Sequence, residues 1–450
     1  MKIVRWTLVV LGLLFFPLLG LAQQQSLTGS VRDAQSGHLL PGVGLWSAAG
    51  GQVSSDADGR FELGSLAEQI VVRMPGYRPL KLSRDQAELI ELQPFSPKAL
   101  YLSFWAADSQ LKRSEFQQMI DQTQANALVI DIKSSRGHIA YRSNIPLASE
   151  IGAQRIRPLK DLSEFLAELK HQGIYTIGRI VVFKDDLLAK RRPELAARSA
   201  DGKIWQDRDQ LSWSDPFSQQ VRDYNLAVAE EAASMGFDEV QFDYIRFPSK
   251  SDLQFSHAAN DESRVAAINS FLDQARERLA PYPTFISANI FGYICWKHKD
   301  GKIGQRLVDL ADRVDYLSPM LYPSGFPHGI PGYSNPLDNS YQVIARSLQV
   351  GQQLSGLEPV RFRPWLQAFR DYAFDQRAFR AGDIQAQINA SDANGSNGWM
   401  LWNAASRFSL AGLQHRLATS ELKLVDVSPK EARATMISQA ETSGTEPPAM

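Results

Sequence analysis

The chain has 450 residues, with 48 Lys and Arg against 49 Asp and Glu and a formal net charge of −1. That balance lacks the basic excess of a nucleic-acid-binding surface, and the length allows two or three domains, or one barrel with an accessory. A single cysteine, Cys295, excludes an intrachain disulfide.

The chain opens on an export pattern. Lys2 and Arg5 precede an apolar run from Thr7 to Leu21, and Gly20-Leu21-Ala22 supplies the small residues of a cleavage position. This predicts a signal peptide over residues 1–22 and an exported protein, periplasmic or extracellular, with no stable membrane span after cleavage. Residues 26–95 form short alternating stretches broken by Gly, Asp and Pro, which predicts a small all-β sandwich. Asp56 and Asp58 are better explained by a turn than by a metal site. The segments Gly29-Ser30-Val31-Arg32-Asp33, Pro41-Gly42-Val43, Asp56-Ala57-Asp58-Gly59-Arg60-Phe61 and Pro75-Gly76-Tyr77 resemble the carboxypeptidase regulatory-like β-sandwich family. That resemblance implies an accessory module of a secreted protein.

From residue 99 the pattern changes to strands alternating with helices. Strands are expected at 99–106, 127–132, 175–183, 237–243, 284–291, 314–321, 360–368 and 398–402. Helices are expected at 115–124, 159–172, 218–235, 262–279, 308–313, 341–354 and 384–393. Eight such units predict an α/β fold, a (β/α)₈ TIM barrel over residues 99–420. A doubly wound sheet would carry a phosphate-binding glycine loop after its first strand; here that strand runs into Trp105-Ala106-Ala107-Asp108. Residues 421–450 lose periodicity and predict a disordered tail.

Barrel chemistry sits at the C-terminal ends of strands. Alternation puts Asp131 and Lys133 on one strand face, and Gln241 and Asp243 on another. Glycoside cleavage needs two carboxyl groups. Asp243 is the first candidate, with Asp131 or Asp185 as the second. No glutamate ends a strand, so the acid is an Asp, comes from a loop, or is absent. Lys133, Arg179 or Arg246 is expected to keep Asp243 ionised. Lys133, Arg179, Tyr244, Arg246, Asn289, Tyr322, Trp365, Gln367 and Trp402 are the candidate substrate-binding residues. Trp105 and the polar loop 201–215, with Trp205 and Trp213, are further candidate sugar contacts. Taken singly, each is equally well explained by packing or an ion pair; the polar ring as a whole points to a site. None of the seven histidines falls at an expected strand end or forms an i, i+4 pair, so no metal or cofactor is expected. Cys295, in an apolar stretch, is expected to pack rather than react.

Val129-Ile130-Asp131-Ile132-Lys133, Gly178-Arg179-Ile180-Val181-Val182-Phe183, residues 237–248 and Asp315-Tyr316-Leu317-Ser318-Pro319-Met320-Leu321-Tyr322-Pro323 resemble a family of bacterial putative glycoside hydrolase barrels. The likeness spans roughly residues 99–417, and residues 241–248 are its most specific part. It implies an enzyme without settling a substrate. A fainter likeness to chitinase-like barrels rests on Met320-Leu321-Tyr322 and Asp243. Ile245 stands where those barrels carry their catalytic glutamate, which argues against their mechanism. The expected function is hydrolysis of an envelope or extracellular polysaccharide or oligosaccharide; the alternative is a carbohydrate-binding barrel without turnover.

Overall fold

The computed structural model describes residues 26–47, 51–64 and 68–415; the expected signal peptide and tail lie outside them. The described residues divide into two units, residues 26–72 with 81–92, and residues 73–80 with 93–415. The first unit is built on short strands: β1 (Leu27–Asp33), β2 (Gly44–Ser47), β3 (Gln52–Ser54), β4 (Arg60–Leu63), β5 (Gln69–Arg73), β6 (Leu80–Ser83) and β7 (Leu89–Leu92). They form two sheets, ordered β4-β1-β7 and β3-β2-β5-β6. β1 pairs antiparallel with β4 and parallel with β7. Alternation sends Phe61 and Leu63 inward and leaves Arg60 and Glu62 exposed. Asp56 caps the turn before β4, its carboxylate accepting from the amides of Asp58 and Arg60 at 3.0 and 2.8 Å. That is the work of a turn residue.

The second unit is a closed barrel of eight parallel strands. In chain order they are β8 (Lys98–Leu102), β9 (Ala127–Lys133), β10 (Tyr175–Val181), β11 (Glu239–Asp243), β12 (Phe285–Phe291), β13 (Tyr316–Met320), β14 (Trp365–Gln367) and β15 (Trp399–Trp402). Each pairs with its sequence neighbour, and β15 closes on β8. Helices between the strands carry amphipathic stripes. The helix Leu162–His171 buries Leu162, Phe165, Leu166 and Leu169, the i, i+3, i+4, i+7 spacing of one helical face. The helix Gln219–Met235 starts at Ser218, whose hydroxyl accepts from the Val221 amide, and stops at Gly236 with φ +98; both ends are local signals. Among the described residues, no helix is long and apolar enough to cross a membrane.

The predicted strand over 360–368 is shorter than expected. Residues 359–361 turn as a 3₁₀ segment, and Arg361 is absorbed by the carbonyls of Asp315, Ala311 and Val314. Two short helices that the periodicity did not suggest, Pro146–Ile151 and Asp186–Arg191, occupy strand-to-helix connections.

Ala99, Tyr101, Val129, Tyr175, Ile177, Phe285, Tyr316, Trp365 and Met400 pack as a second core inside the barrel, separate from the shell between strands and helices. At its N-terminal end, Glu239 and Arg363 form an ion pair of 2.5 Å with both side chains fully buried. Cys295 lies in the outer shell, its Sγ against Gly351, where a Cβ would meet it at 3.2 Å. Burial pushes its thiol up to about 12. The native protein is therefore expected to resist a thiol reagent at pH 8 and to take up one equivalent on unfolding. Rapid labelling of the native state would show that the segment around residue 295 opens.

Candidate active site

All eight strands run the same way, so their C-terminal ends converge on one mouth. The register places Arg179 of β10 beside Asp131 of β9 and Gln241 of β11. From there its guanidinium reaches both flanking strands. Nη1 donates to Asp131 Oδ1 at 2.6 Å, and Nε and Nη2 donate to Asp243 Oδ2 at 2.9 and 2.6 Å. Asp131 accepts a further bond from the Tyr101 hydroxyl, and Asp243 Oδ1 accepts from the Tyr244 amide at 2.6 Å. All three charged side chains are less than a tenth exposed. Burial lowers the Arg179 pKa, but Asp131 and Asp243 more than reverse this, leaving it well above the usual value. Burial, then the Asp131 charge, pushes the Tyr101 phenol well up, so it stays a donor.

Tyr244 follows Asp243 in the left-handed region, at φ +51. A bulky residue there is strained and persists only when its surroundings hold it. The turn places the Tyr244 ring against Trp213, centroids 5.5 Å apart. It also helps form a cavity of about 130 Å³ at the mouth, lined by Arg179, Asp243, Tyr244, Arg246, Asn289, Phe291, Met320, Tyr322, Trp365 and Trp402. Trp402 packs 3.9 Å from Tyr101 and 5.5 Å edge-on to Trp365, with the Arg179 guanidinium 4.9 Å above its ring. Trp365 Nε1 donates to Asn289 Oδ1 at 2.9 Å, fixing both side chains. Burial, reinforced by Asp243, raises the Tyr322 phenol well above its ordinary value, so it faces the cavity as a neutral hydroxyl.

Tyr244, Arg246 and Phe291 also line an adjoining groove of about 440 Å³, completed by Lys184, Ser249 and residues of loop 201–215. Lys184 pairs there with Asp207 at 2.8 Å and Asp209 at 2.7 Å. Burial would raise the Asp207 carboxyl, but hydrogen bonds from Lys184 and Trp213 override it and hold it below the usual range.

Asp243, Arg179, Tyr244, Arg246, Asn289, Tyr322, Trp365 and Trp402 therefore share one cavity, as alternation and strand ends suggest. Asp131 lies behind it, reached through Arg179. Lys133 and Asp185 are elsewhere. The pairing between β9 and β10 shifts register after Arg179, so that Ile180 pairs with Lys133. This bulge turns Lys133 off the face of Asp131. Its ammonium instead pairs with Asp185 at 2.7 Å, both side chains fully buried, and lies 5.5 Å over the Tyr224 ring. Asp185 Oδ1 caps the helix Asp186–Arg191 by accepting from the Leu188 amide. Gln367 is buried and bonded to Ser324 rather than to the cavity. Of the other candidate aromatics, Trp105 is 64% exposed and outside the cavity lining. Trp213 is buried, donating from Nε1 to Asp207 at 3.0 Å. Phe291 and Met320, which are not among the sequence candidates, also line the cavity; Phe291 lies two residues beyond the candidate Asn289, where alternation along the strand puts it on the same face.

Residues 99–408 match a family model described as a putative glycosyl hydrolase domain. No curated protein matches. Among solved structures, a hypothetical protein from Ruminiclostridium thermocellum is 38% identical, over 42% of this chain and 96% of that one, with a TM-score of 0.39. A glycoside hydrolase domain from Bordetella bronchiseptica is similar in fold at 14% identity, over 69% of this chain and 94% of that one, with a TM-score of 0.52.

Proposed function

The chain belongs to the family of putative glycosyl hydrolase domains, matched over residues 99–408, and from that premise we propose that its barrel mouth hydrolyses a glycosidic bond in a polysaccharide or oligosaccharide. The observation that carries this reading is Asp243: a carboxylate at a strand end, on a cavity walled by Tyr322, Trp365 and Trp402. Aromatic walls suit the apolar faces of sugar rings. In hydrolysis the bond from the anomeric carbon to the leaving oxygen breaks, water's hydroxyl joins that carbon, and a proton reaches the leaving oxygen. Asp243, oriented by Arg179 and the Tyr244 amide, serves the anomeric side, as nucleophile or as base toward water. Asp131 is a positioning residue acting through Arg179. Water on the open, groove side of the cavity supplies the proton for the leaving oxygen. The export pattern read in residues 1–22 supports activity in the periplasm or outside the cell, and the resemblance of residues 26–95 to a β-sandwich module supports an accessory role for them.

One observation favours a second reading, a carbohydrate-binding barrel without turnover. Arg179 holds both strand-end carboxylates on one guanidinium, instead of leaving them on opposite faces of a sugar. Incubation with a panel of bacterial envelope polysaccharides separates the two. Hydrolysis releases new reducing ends in step with time and enzyme; saturable binding with no new ends establishes the second reading and removes the first.

A further inference from the structure

We infer that the groove outside the mouth holds a subsite for an oxyanion carried by the sugar, with Arg246 as its receptor. This rests on the reading that the cleft binds carbohydrate.

Three other arginines of the barrel unit find protein acceptors for several of their N–H groups. Arg179 and Arg363 face carboxylates, and Arg361 donates to three carbonyls. Arg246 differs. It donates one bond, from Nη1 to the Phe247 carbonyl at 3.0 Å, and has no carboxylate within ion-pair distance among the described residues. Its guanidinium carbon lies 4.7 Å from the Trp213 ring, 4.5 Å from Phe291 and 5.1 Å from Tyr244. Those rings favour a cation and fix its plane, but they accept no in-plane N–H bonds. Among the described residues its Nε and Nη2 have no protein acceptor, which leaves them free to take one in the groove. Burial outweighs the attraction of Tyr244, Asp243 and Asp207 and lowers the pKa of this arginine. An oxyanion in the groove would offset that cost and match the planar fork with two parallel bonds.

The position suits a substituent on a neighbouring ring. Arg246 lines both the mouth cavity with Asp243 and the adjoining groove. Phe291, 36% exposed, offers a stacking face beside it. Arg208, exposed and also lining the groove, likewise has no carboxylate partner among the described residues and adds positive charge there.

The test uses the full chain and matched pairs of oligosaccharides. Oligouronates are compared with their carboxyl-reduced forms, and sulfated galactan oligosaccharides with their desulfated forms. Binding is followed by calorimetry for wild type, Arg246→Gln and Arg246→Lys. The charged member of at least one pair is expected to bind wild type at least about tenfold tighter than its neutral partner. Arg246→Gln removes that difference and Arg246→Lys recovers only part of it, each read as the ratio of charged to neutral binding within the same protein. Whichever pair shows the difference identifies the oxyanion as carboxylate or sulfate. Equal binding of charged and neutral members, or retention of the difference in a folded Arg246→Gln, overturns the subsite while leaving the carbohydrate reading in place. Failure of every oligosaccharide to bind overturns both.

Discussion

Asp243→Asn is expected to lower the rate of glycosidic cleavage by about 10²–10⁴-fold while leaving a folded protein that still binds sugar. Asparagine keeps the shape of aspartate and one oxygen for the Tyr244 amide, now 2.6 Å from Asp243 Oδ1. It removes the charge that takes two bonds from Arg179, and no longer serves as nucleophile or base. Arg179 retains Asp131 at 2.6 Å, so the cation is not orphaned and the loss of stability stays near about 1–3 kcal/mol, the worth of hydrogen bonds to a charged group. Reducing-end release and thermal denaturation of the same preparation separate the two effects. Asp131→Asn is the control: a residue acting through Arg179 should cost less in turnover than Asp243 at comparable stability. A folded Asp243→Asn with wild-type turnover would falsify the assignment of that carboxylate.

Glu239→Gln is expected to destabilise the barrel by about 3–5 kcal/mol, the cost of leaving a buried charge without its partner. Arg363 is fully buried at the opposite end of the interior from the mouth, with Glu239 at 2.5 Å and the Asn397 carbonyl at 2.9 Å as its acceptors. Glutamine leaves that guanidinium charged and desolvated. Among the described residues, Arg363 Nη2 and Glu239 Oε1 have no hydrogen-bond partner even in the wild type, so the pair is imperfectly satisfied. The double variant Glu239→Leu with Arg363→Met, which removes both charges, should therefore recover most of the loss. Denaturant unfolding of the single and double variants measures this. A Glu239→Gln protein as stable as wild type, or a double variant no better than the single, would show that the interior solvates the charge.

Much of the site was legible because a barrel makes the position of a residue a matter of alternation. Once Asp243 ends a strand and side chains alternate, Gln241 shares its face. The same rule, applied on from Asn289 to Phe291, would have reached more of the cavity wall. It failed at Lys133 because alternation assumes an unbroken ladder, and the bulge in β9 breaks it between Asp131 and Lys133. It failed differently at Asp185, where a carboxylate just beyond a strand reads equally well as a catalytic group or a helix cap. The short helix Asp186–Arg191 that decides between them lacks enough residues to show a periodic stripe.

The sequence by itself determined the eight-fold alternation of strand and helix, the polar ring at the strand ends and the aromatic residues beside it. Each depends on local spacing, which tertiary packing follows. Only the tertiary structure decided which charges meet. The choice of Arg179 as the partner of both Asp131 and Asp243 depends on three strands lying side by side in one register. That Arg246 meets aromatic rings and no carboxylate among the described residues depends on loop 201–215 bringing Trp213 to its face. Electrostatic partnership depends on distances between segments far apart in the chain, and residue spacing carries no record of those distances.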